Sequence, residues 1–130
     1  MYRRVLLLTS VLAPLSLIRR ARAATVTPFT DAAFKAAQAE GKPILVAIHA
    51  SWCPICAKQR PIMSQLEAEP AFKSLVVLMV DFDTQKDIVQ ALGANKQSTL
   101  IAFHGQKEVG RSVGVTDPAA IKGLFNQAVA

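Results

Sequence analysis

Cysteine and histidine are scarce in this sequence, and their scarcity limits the kinds of site that it can form. Among 130 residues there are two cysteines and two histidines. Both cysteines belong to one motif, Cys53-Pro54-Ile55-Cys56. Two thiols at this spacing are half of a zinc knuckle, but no second cysteine pair is present to complete a closed zinc site. The motif can still form a structural disulfide, exchange disulfides as a redox pair, or bind a softer metal.

Charged residues are also few, and the excess of positive charge is concentrated near the N-terminus. Charged residues make up 18% of the chain, hydrophobic residues make up 52%, and the formal net charge is +6. Five arginines and no acidic residue lie among the first 23 residues, so the remainder carries a net charge of about +1. The sequence shows no basic patch for nucleic acid, and no repeat or linker that would divide it. We therefore expect one globular domain.

The apolar run near the N-terminus, Val5–Ile18, is shorter than the roughly 20 residues that span a bilayer, and Pro14 interrupts it. Two arginines precede this run, and the small-x-small site Ala21-Arg22-Ala23 follows it. This order is typical of a secretory signal peptide. We predict a signal peptide over residues 1–23, cleaved after its last residue, and a folded domain over residues 24–130.

The alternative for this segment is an uncleaved amphipathic anchor, which the arginines after the apolar run favour. Such an anchor would be the only contact with a membrane that we expect of the chain itself. Export would place both cysteines in an oxidising compartment, where a disulfide can persist. We therefore predict that the protein is periplasmic or secreted.

After the N-terminal segment, strand-like and helix-like segments alternate. Ile44–Ala50 is nearly all apolar, as expected for a central strand that is covered on both faces. In chain order we predict a helix over Asp31–Ala39, a strand over Ile44–Ala50, a helix from the cysteines to Glu67, a strand over Leu75–Val80, a helix over Asp87–Leu92, strands over Thr99–Phe103 and Glu108–Val113, and a last helix from Asp117-Pro118. Two crossovers and a closing hairpin predict an α/β fold with a central mixed four-stranded sheet flanked by helices on both faces.

The cysteine motif and its surroundings resemble the thioredoxin-fold thiol-disulfide oxidoreductases. The resemblance rests on the strand Ile44–Ala50, the stretch Trp52-Cys53-Pro54-Ile55-Cys56, Pro61 in the following helix, and the block Thr99–Phe103. It implies a thioredoxin-like fold, with Cys53 as the exposed nucleophile and Cys56 as the buried resolving thiol. It also implies protein thiols and disulfides as substrates; we expect a membrane redox partner, no cofactor and a monomeric chain.

Three positions depart from the family pattern. Ala47 stands where thioredoxins have an aspartate, His49 stands where they have a tryptophan, and Ser98 stands where a cis-proline precedes the threonine. Because a non-proline cis peptide bond costs about 2.5 to 4 kcal/mol, we predict that Ser98 is trans. Without the aspartate, water or His49 would have to accept the proton of Cys56.

We expect the helix N-terminus to stabilise the Cys53 thiolate, because its backbone N–H groups and helix dipole favour negative charge. Lys58 and Arg60 are predicted to lie on a solvated helix face. The residues expected to form the rim of the site or to tune the thiols are Trp52, Pro54, Ile55, His49, Ser98 and Thr99.

Two other functions remain open at this point. The same two thiolates, helped by His49, could hold Cu(I) in a periplasmic metal-handling module. The pair could also be only a structural bridge in a binding protein, although an exposed Trp-Cys-Pro rim argues against that interpretation. The direction of exchange, reductase or oxidase, depends on the relative stability of the dithiol and the disulfide, which the sequence does not predict.

Overall fold

The structure is a computed structural model that describes residues 23–130. The predicted signal peptide, residues 1–23, lies outside the described residues except for Ala23. Between residues 23 and 130 no helix is both long enough and apolar enough to cross a membrane. The elements are β1 (Thr25–Pro28), α1 (Asp31–Ala39), β2 (Pro43–His49), α2 (Pro54–Glu67), a 3-10 helix (Pro70–Phe72), β3 (Val76–Asp81), α3 (Lys86–Ala91), β4 (Thr99–His104), β5 (Lys107–Val113) and α4 (Pro118–Val129).

The strands form one mixed sheet in the order β1-β3-β2-β4-β5. Strands β1 and β2 both pair with β3 in parallel, and β4 is antiparallel to β2 and β5. The predicted fold class is confirmed, but the sheet has five strands instead of the predicted four. The additional strand, β1, is short and mostly exposed. It is a strand because its backbone pairs with the edge of β3, with Thr25 beside Val76, and no apolar alternation in its own sequence indicates that pairing.

The sequence of the central strand β2 has almost no polar residues, because the strand is buried on both faces of the sheet. Residues 44–48 are all buried, and successive side chains point to opposite faces of the sheet. Leu45 and Ala47 belong to one hydrophobic core, which also contains residues of α2 and α4. Ile44, Val46 and Ile48 belong to the other core, which is covered by α1 and α3. A fully buried side chain of this size contributes about 1.5 to 3 kcal/mol.

Several chain segments meet where β2 ends. His49 at this end lies beside Asp81, the last residue of β3, because the two strands are parallel. Thr99, the first residue of antiparallel β4, lies beside Ile48 and also pairs with Val113 at the end of β5. Helix α2 begins five residues after β2 ends, so the cysteine motif lies at this same edge of the sheet.

Candidate active site

The two cysteines form a disulfide at the beginning of α2. Cys53 is the N-cap residue of the helix, and its Sγ accepts a hydrogen bond from the backbone N–H of Cys56 at 3.1 Å. Pro54 occupies the first helical turn, where a missing N–H costs least. The two Cα atoms are 5.3 Å apart, within the usual range for a disulfide. The helix start therefore brings the two sulfurs within bonding distance and offers Cys53 a hydrogen-bond donor.

The exposure of the pair differs from the expectation. Cys53 is only 3% exposed and Cys56 is 9% exposed, so the predicted contrast between an exposed and a buried cysteine is wrong for the disulfide form. Both residues pack with Ala50 and against Phe82. The Cys53 sulfur also accepts the N–H of Cys56 from within its own helix, which places it against the protein rather than in solvent.

The surface around the disulfide is apolar and exposed. We call Trp52, Pro54, Ile55 and Val113 the rim. Trp52 is 56% exposed, Ile55 is 39% exposed and Val113 is 51% exposed. The Trp52 indole Nε1 donates a hydrogen bond of 2.8 Å to Asp83 Oδ2, and its ring meets the Phe82 ring edge to face. The rim is therefore held in place from the β3 side while leaving most of the indole open to a partner.

Ser98 has a trans peptide bond, as predicted, since no cis bond occurs between residues 23 and 130. Its φ of +58° places it in the left-handed region, which costs a residue other than glycine about 1 to 2 kcal/mol. Its N–H donates to the Ile48 carbonyl at 2.7 Å, and its carbonyl accepts the N–H of Gly114 at 3.0 Å. The neighbouring Thr99 is buried and donates its hydroxyl to the Lys96 carbonyl at 2.7 Å. Both residues thus shape the loop before β4.

A cavity of about 190 Å³ lies directly beneath the disulfide. Both cysteines, His49 and Ala47 line it, together with Ile48, Ala50, Ser51, Ala57, Gln59, Arg60, Met63 and Met79. The alanine leaves open space where a longer side chain would lie, and a cavity of this size is large enough to admit water. The structure thus brings His49 and both cysteines together around one cavity, while Trp52 and Ile55 are exposed and do not line it.

Comparisons with known proteins decide the family. A family model described as Thioredoxin matches residues 25–127. A thioredoxin of Chlamydia caviae is 33% identical over 84 residues, which cover 65% of this chain and 80% of that protein. A thioredoxin of Aspergillus fumigatus is 30% identical over 96 residues, which cover 72% of this chain and 87% of that protein. The crystal structure of Trxlp from Edwardsiella tarda matches with a TM-score of 0.76 and 44% identity, covering 78% of this chain and 98% of that one.

The chain belongs to the thioredoxin family. Its activity is therefore thiol-disulfide exchange through a Cys-x-x-Cys pair, and its two cysteines are the only ones in the sequence. Thioredoxins act on protein disulfides, which agrees with an apolar rim around the pair.

Two polar residues of this thioredoxin-family site were not identified from the sequence. Gln59, on α2, is 3% exposed, and its Nε2 donates to the carbonyls of Ser98 at 3.2 Å and Val115 at 2.8 Å. These partners lie 39 and 56 residues away in sequence, so no local pattern could indicate them. Asp83, the partner of Trp52, is the other residue that was missed.

Arg60 corrects the expectation of a solvated helix face. Lys58 is exposed, but the Arg60 side chain is 34% exposed and lines the cavity. Its guanidinium forms an ion pair with the buried carboxylate of Glu67 and lies 3.4 Å from Met79 Sδ. In this thioredoxin-family protein the wall of the cavity therefore carries a positive group, the Arg60 guanidinium. The family pattern instead has a negative group, a carboxylate, at another lining position, that of Ala47.

Asp81 shapes the turn that follows β3. Hydrogen bonds from the backbone N–H groups of Thr84 and Asp83 hold the pKa of Asp81 below its ordinary value, and the nearby His49 lowers it further. The turn places Asp83 where it accepts the Trp52 indole N–H. An ionised Asp81 thus supports the rim through the turn that carries Asp83.

Proposed function

We propose that this thioredoxin-family protein is exported and exchanges disulfides with protein partners, with Cys53 as the attacking sulfur and Cys56 as the resolving one. The observation that carries the proposal is a disulfide at the first turn of α2, bordered by an exposed apolar rim. In the reduced protein, the N–H of Cys56 that now reaches Cys53 Sγ would stabilise a thiolate at that sulfur.

The exchange proceeds in two balanced steps. The Cys53 thiolate attacks one sulfur of a client disulfide, forming a mixed disulfide, and the other client sulfur leaves as a thiolate that takes a proton from water. Cys56 then gives its proton to water in the cavity, and its thiolate attacks Cys53 Sγ. The Cys53–Cys56 bond forms, the second client sulfur leaves as a thiolate, and two electrons have passed from the pair to the client. The reverse sequence oxidises a client dithiol.

Variants of the two cysteines separate these steps. With a protein disulfide such as insulin, Cys53→Ser is expected to abolish turnover. Cys56→Ser is expected to complete the first step and to accumulate a mixed disulfide, detectable by mass spectrometry without reductant. Full turnover by Cys53→Ser would contradict the proposal, and a trapped adduct at Cys56 in that variant would reverse the two roles. A glutathione titration of the wild type measures the redox potential and so the direction of exchange.

Export is tested separately, because it rests on residues outside the described part of the chain. Residues 1–23 fused to a reporter enzyme that is active only after export should yield activity, whereas the same reporter without these residues should not. N-terminal sequencing of the exported protein should begin at Ala24. Retention of the whole chain in a membrane fraction would instead support the uncleaved anchor.

A Cu(I)-binding function has some support from the same cavity. The two cysteines, His49, Met63 and Met79 all line it, and thiolates and thioethers are soft ligands that suit Cu(I). The Arg60 guanidinium lines it as well and disfavours a bound cation there. Within residues 23–130 no group of three or more His, Cys, Asp and Glu side chains is arranged to hold a metal. Disulfide exchange remains the preferred proposal, and mass spectrometry of the reduced protein with Cu(I) tests the alternative.

A further inference from the structure

In the loop before β4, Ser98 has an unfavourable backbone conformation, and hydrogen bonds to other elements hold its backbone N–H and carbonyl. Ser98 has a φ of +58°, and it is the one residue other than glycine with a positive φ between residues 23 and 130. Its side chain is buried, and the hydroxyl donates only to the adjacent carbonyl of Gln97. A serine persists in such a conformation only where surrounding groups determine it.

Three hydrogen bonds from three different elements determine it here. The Ser98 N–H donates to Ile48 on β2, and the Ser98 carbonyl accepts from Gly114 after β5 and from the Gln59 side chain on α2. Of these, only Gln59 reaches the loop through a side chain, so it is the contact that a substitution can remove without altering the sheet. Gln59 lies three residues after Cys56 and lines the cavity beneath the disulfide.

The second bond of Gln59 makes it a bridge between loops. Its Nε2 also donates to the Val115 carbonyl at 2.8 Å, so both amide protons are used on backbone carbonyls. Because both partners are acceptors, the orientation of the amide is fixed by its contacts. One side chain of the cysteine-bearing helix thus holds both the loop before β4 and the segment after β5.

We propose that Gln59 is a positioning residue that ties the trans Ser98 loop and the segment after β5 to the helix that begins at the cysteines. The proposal rests on the proposed function, because the two segments that Gln59 holds adjoin the exposed rim residue Val113, which a protein client would contact. Small disulfides that touch only the sulfurs do not need the loop. Loss of Gln59 therefore lowers exchange with a protein client and leaves exchange with a small disulfide almost unchanged.

The test uses Gln59→Met, which keeps the length and bulk of the side chain and removes the amide. We expect kcat/KM for a protein disulfide to fall about tenfold, equivalent to about 1.4 kcal/mol, with exchange of a small aromatic disulfide within about twofold of wild type. Gln65→Met, the same change at an exposed position of α2, is the matched control and should alter neither rate.

A second substitution distinguishes positioning from simple packing. Ser98→Gly removes the unfavourable φ, so in the Gln59→Met background it should restore protein exchange to within about threefold of wild type. Failure of that rescue, or equal losses for both kinds of disulfide, would overturn the proposal. If the wild type itself does not exchange protein disulfides, the proposed function fails instead. In that case the Cα and Cβ chemical shifts of Ser98 still report whether its φ changes in Gln59→Met, and unchanged shifts would refute the positioning role.

Discussion

The surface above the disulfide and the cavity below it differ in chemistry. Above, the rim is apolar and exposed, with Trp52 and Ile55 open to a partner. Below, the lining of the cavity includes the His49 imidazole and the half-buried Arg60 guanidinium. The first region offers apolar contact area to a client, and the second places polar groups beside the thiols. The difference teaches that client choice and thiol chemistry are determined by separate sets of residues, which substitutions can separate.

The largest expected effect comes from Ser98, whose carbonyl accepts a hydrogen bond from the cavity-lining Gln59, and Ser98→Pro tests it. Proline cannot adopt a φ of +58° and has no N–H for the Ile48 carbonyl. We expect the free energy of unfolding to fall by about 1 to 3 kcal/mol, because the Ile48 carbonyl loses its donor, and exchange with a protein disulfide to fall more than exchange with a small disulfide. Urea unfolding measures this change, and Ser98→Ala, which keeps the N–H, is the control. Unchanged stability would show that the loop rearranges around a proline without cost.

A smaller effect is expected when only the rim is altered. Trp52→Ala removes an exposed indole and its bond to Asp83, so we expect kcat/KM for a protein disulfide to fall about fivefold, or about 1 kcal/mol. Exchange with a small disulfide and the thiol pKa should stay the same. Trp52→Phe should recover part of the loss, because it keeps an aromatic face but not the N–H. Equal losses for both disulfides would mean that the rim also acts on the thiols.

Much of this arrangement follows from local sequence. The buried run of β2, the start of α2 at the cysteines and the last helix from Asp117-Pro118 were all predicted, because each has a short-range pattern. The trans bond of Ser98 followed from the cost of a cis bond. These are the parts of the molecule in which local preference and tertiary packing agree.

The remainder depends on contacts between distant residues. Nothing in the residues around Ser98 indicates a positive φ, because the bonds that determine it come from β2, α2 and the end of β5. Arg60 has the spacing of a surface residue, and its burial depends on Met79 and Glu67. The exposure of Cys53 was mispredicted for a related reason, since Phe82, which follows β3, packs against the cluster that contains it.

Substitutions of Arg60 and Glu67 should alter the cavity without changing the rim. They should shift the pKa of the reduced thiols in opposite directions. Arg60→Met removes positive charge beside the thiols, whereas Glu67→Gln leaves that charge uncompensated. We expect the first to raise the lower thiol pKa of the reduced pair and the second to lower it, both slightly, because the site is partly exposed and solvent screens the charges. Thiolate absorbance near 240 nm, recorded against pH, measures both pKa shifts. His49→Gln, a further substitution in the lining of the cavity, is measured in the same way. Shifts in the same direction would indicate a packing effect.

The smallest effect concerns the turn that supports the rim, and it depends on pH. The pKa of Asp81 is lowered in the folded protein by the N–H groups of Thr84 and Asp83 and by His49. A carboxylate with a lowered pKa adds stability above its unfolded-state pKa and loses that contribution as the pH falls through its folded-state value. Asp81→Asn should therefore be slightly less stable than wild type at pH 7, and the difference should shrink as the pH falls through the lowered pKa of Asp81. Thermal unfolding of both proteins from pH 7 to pH 2.5 measures the difference. A difference that is constant with pH would mean that the carboxylate charge does not stabilise the turn, and that the Asn side chain merely fits it less well.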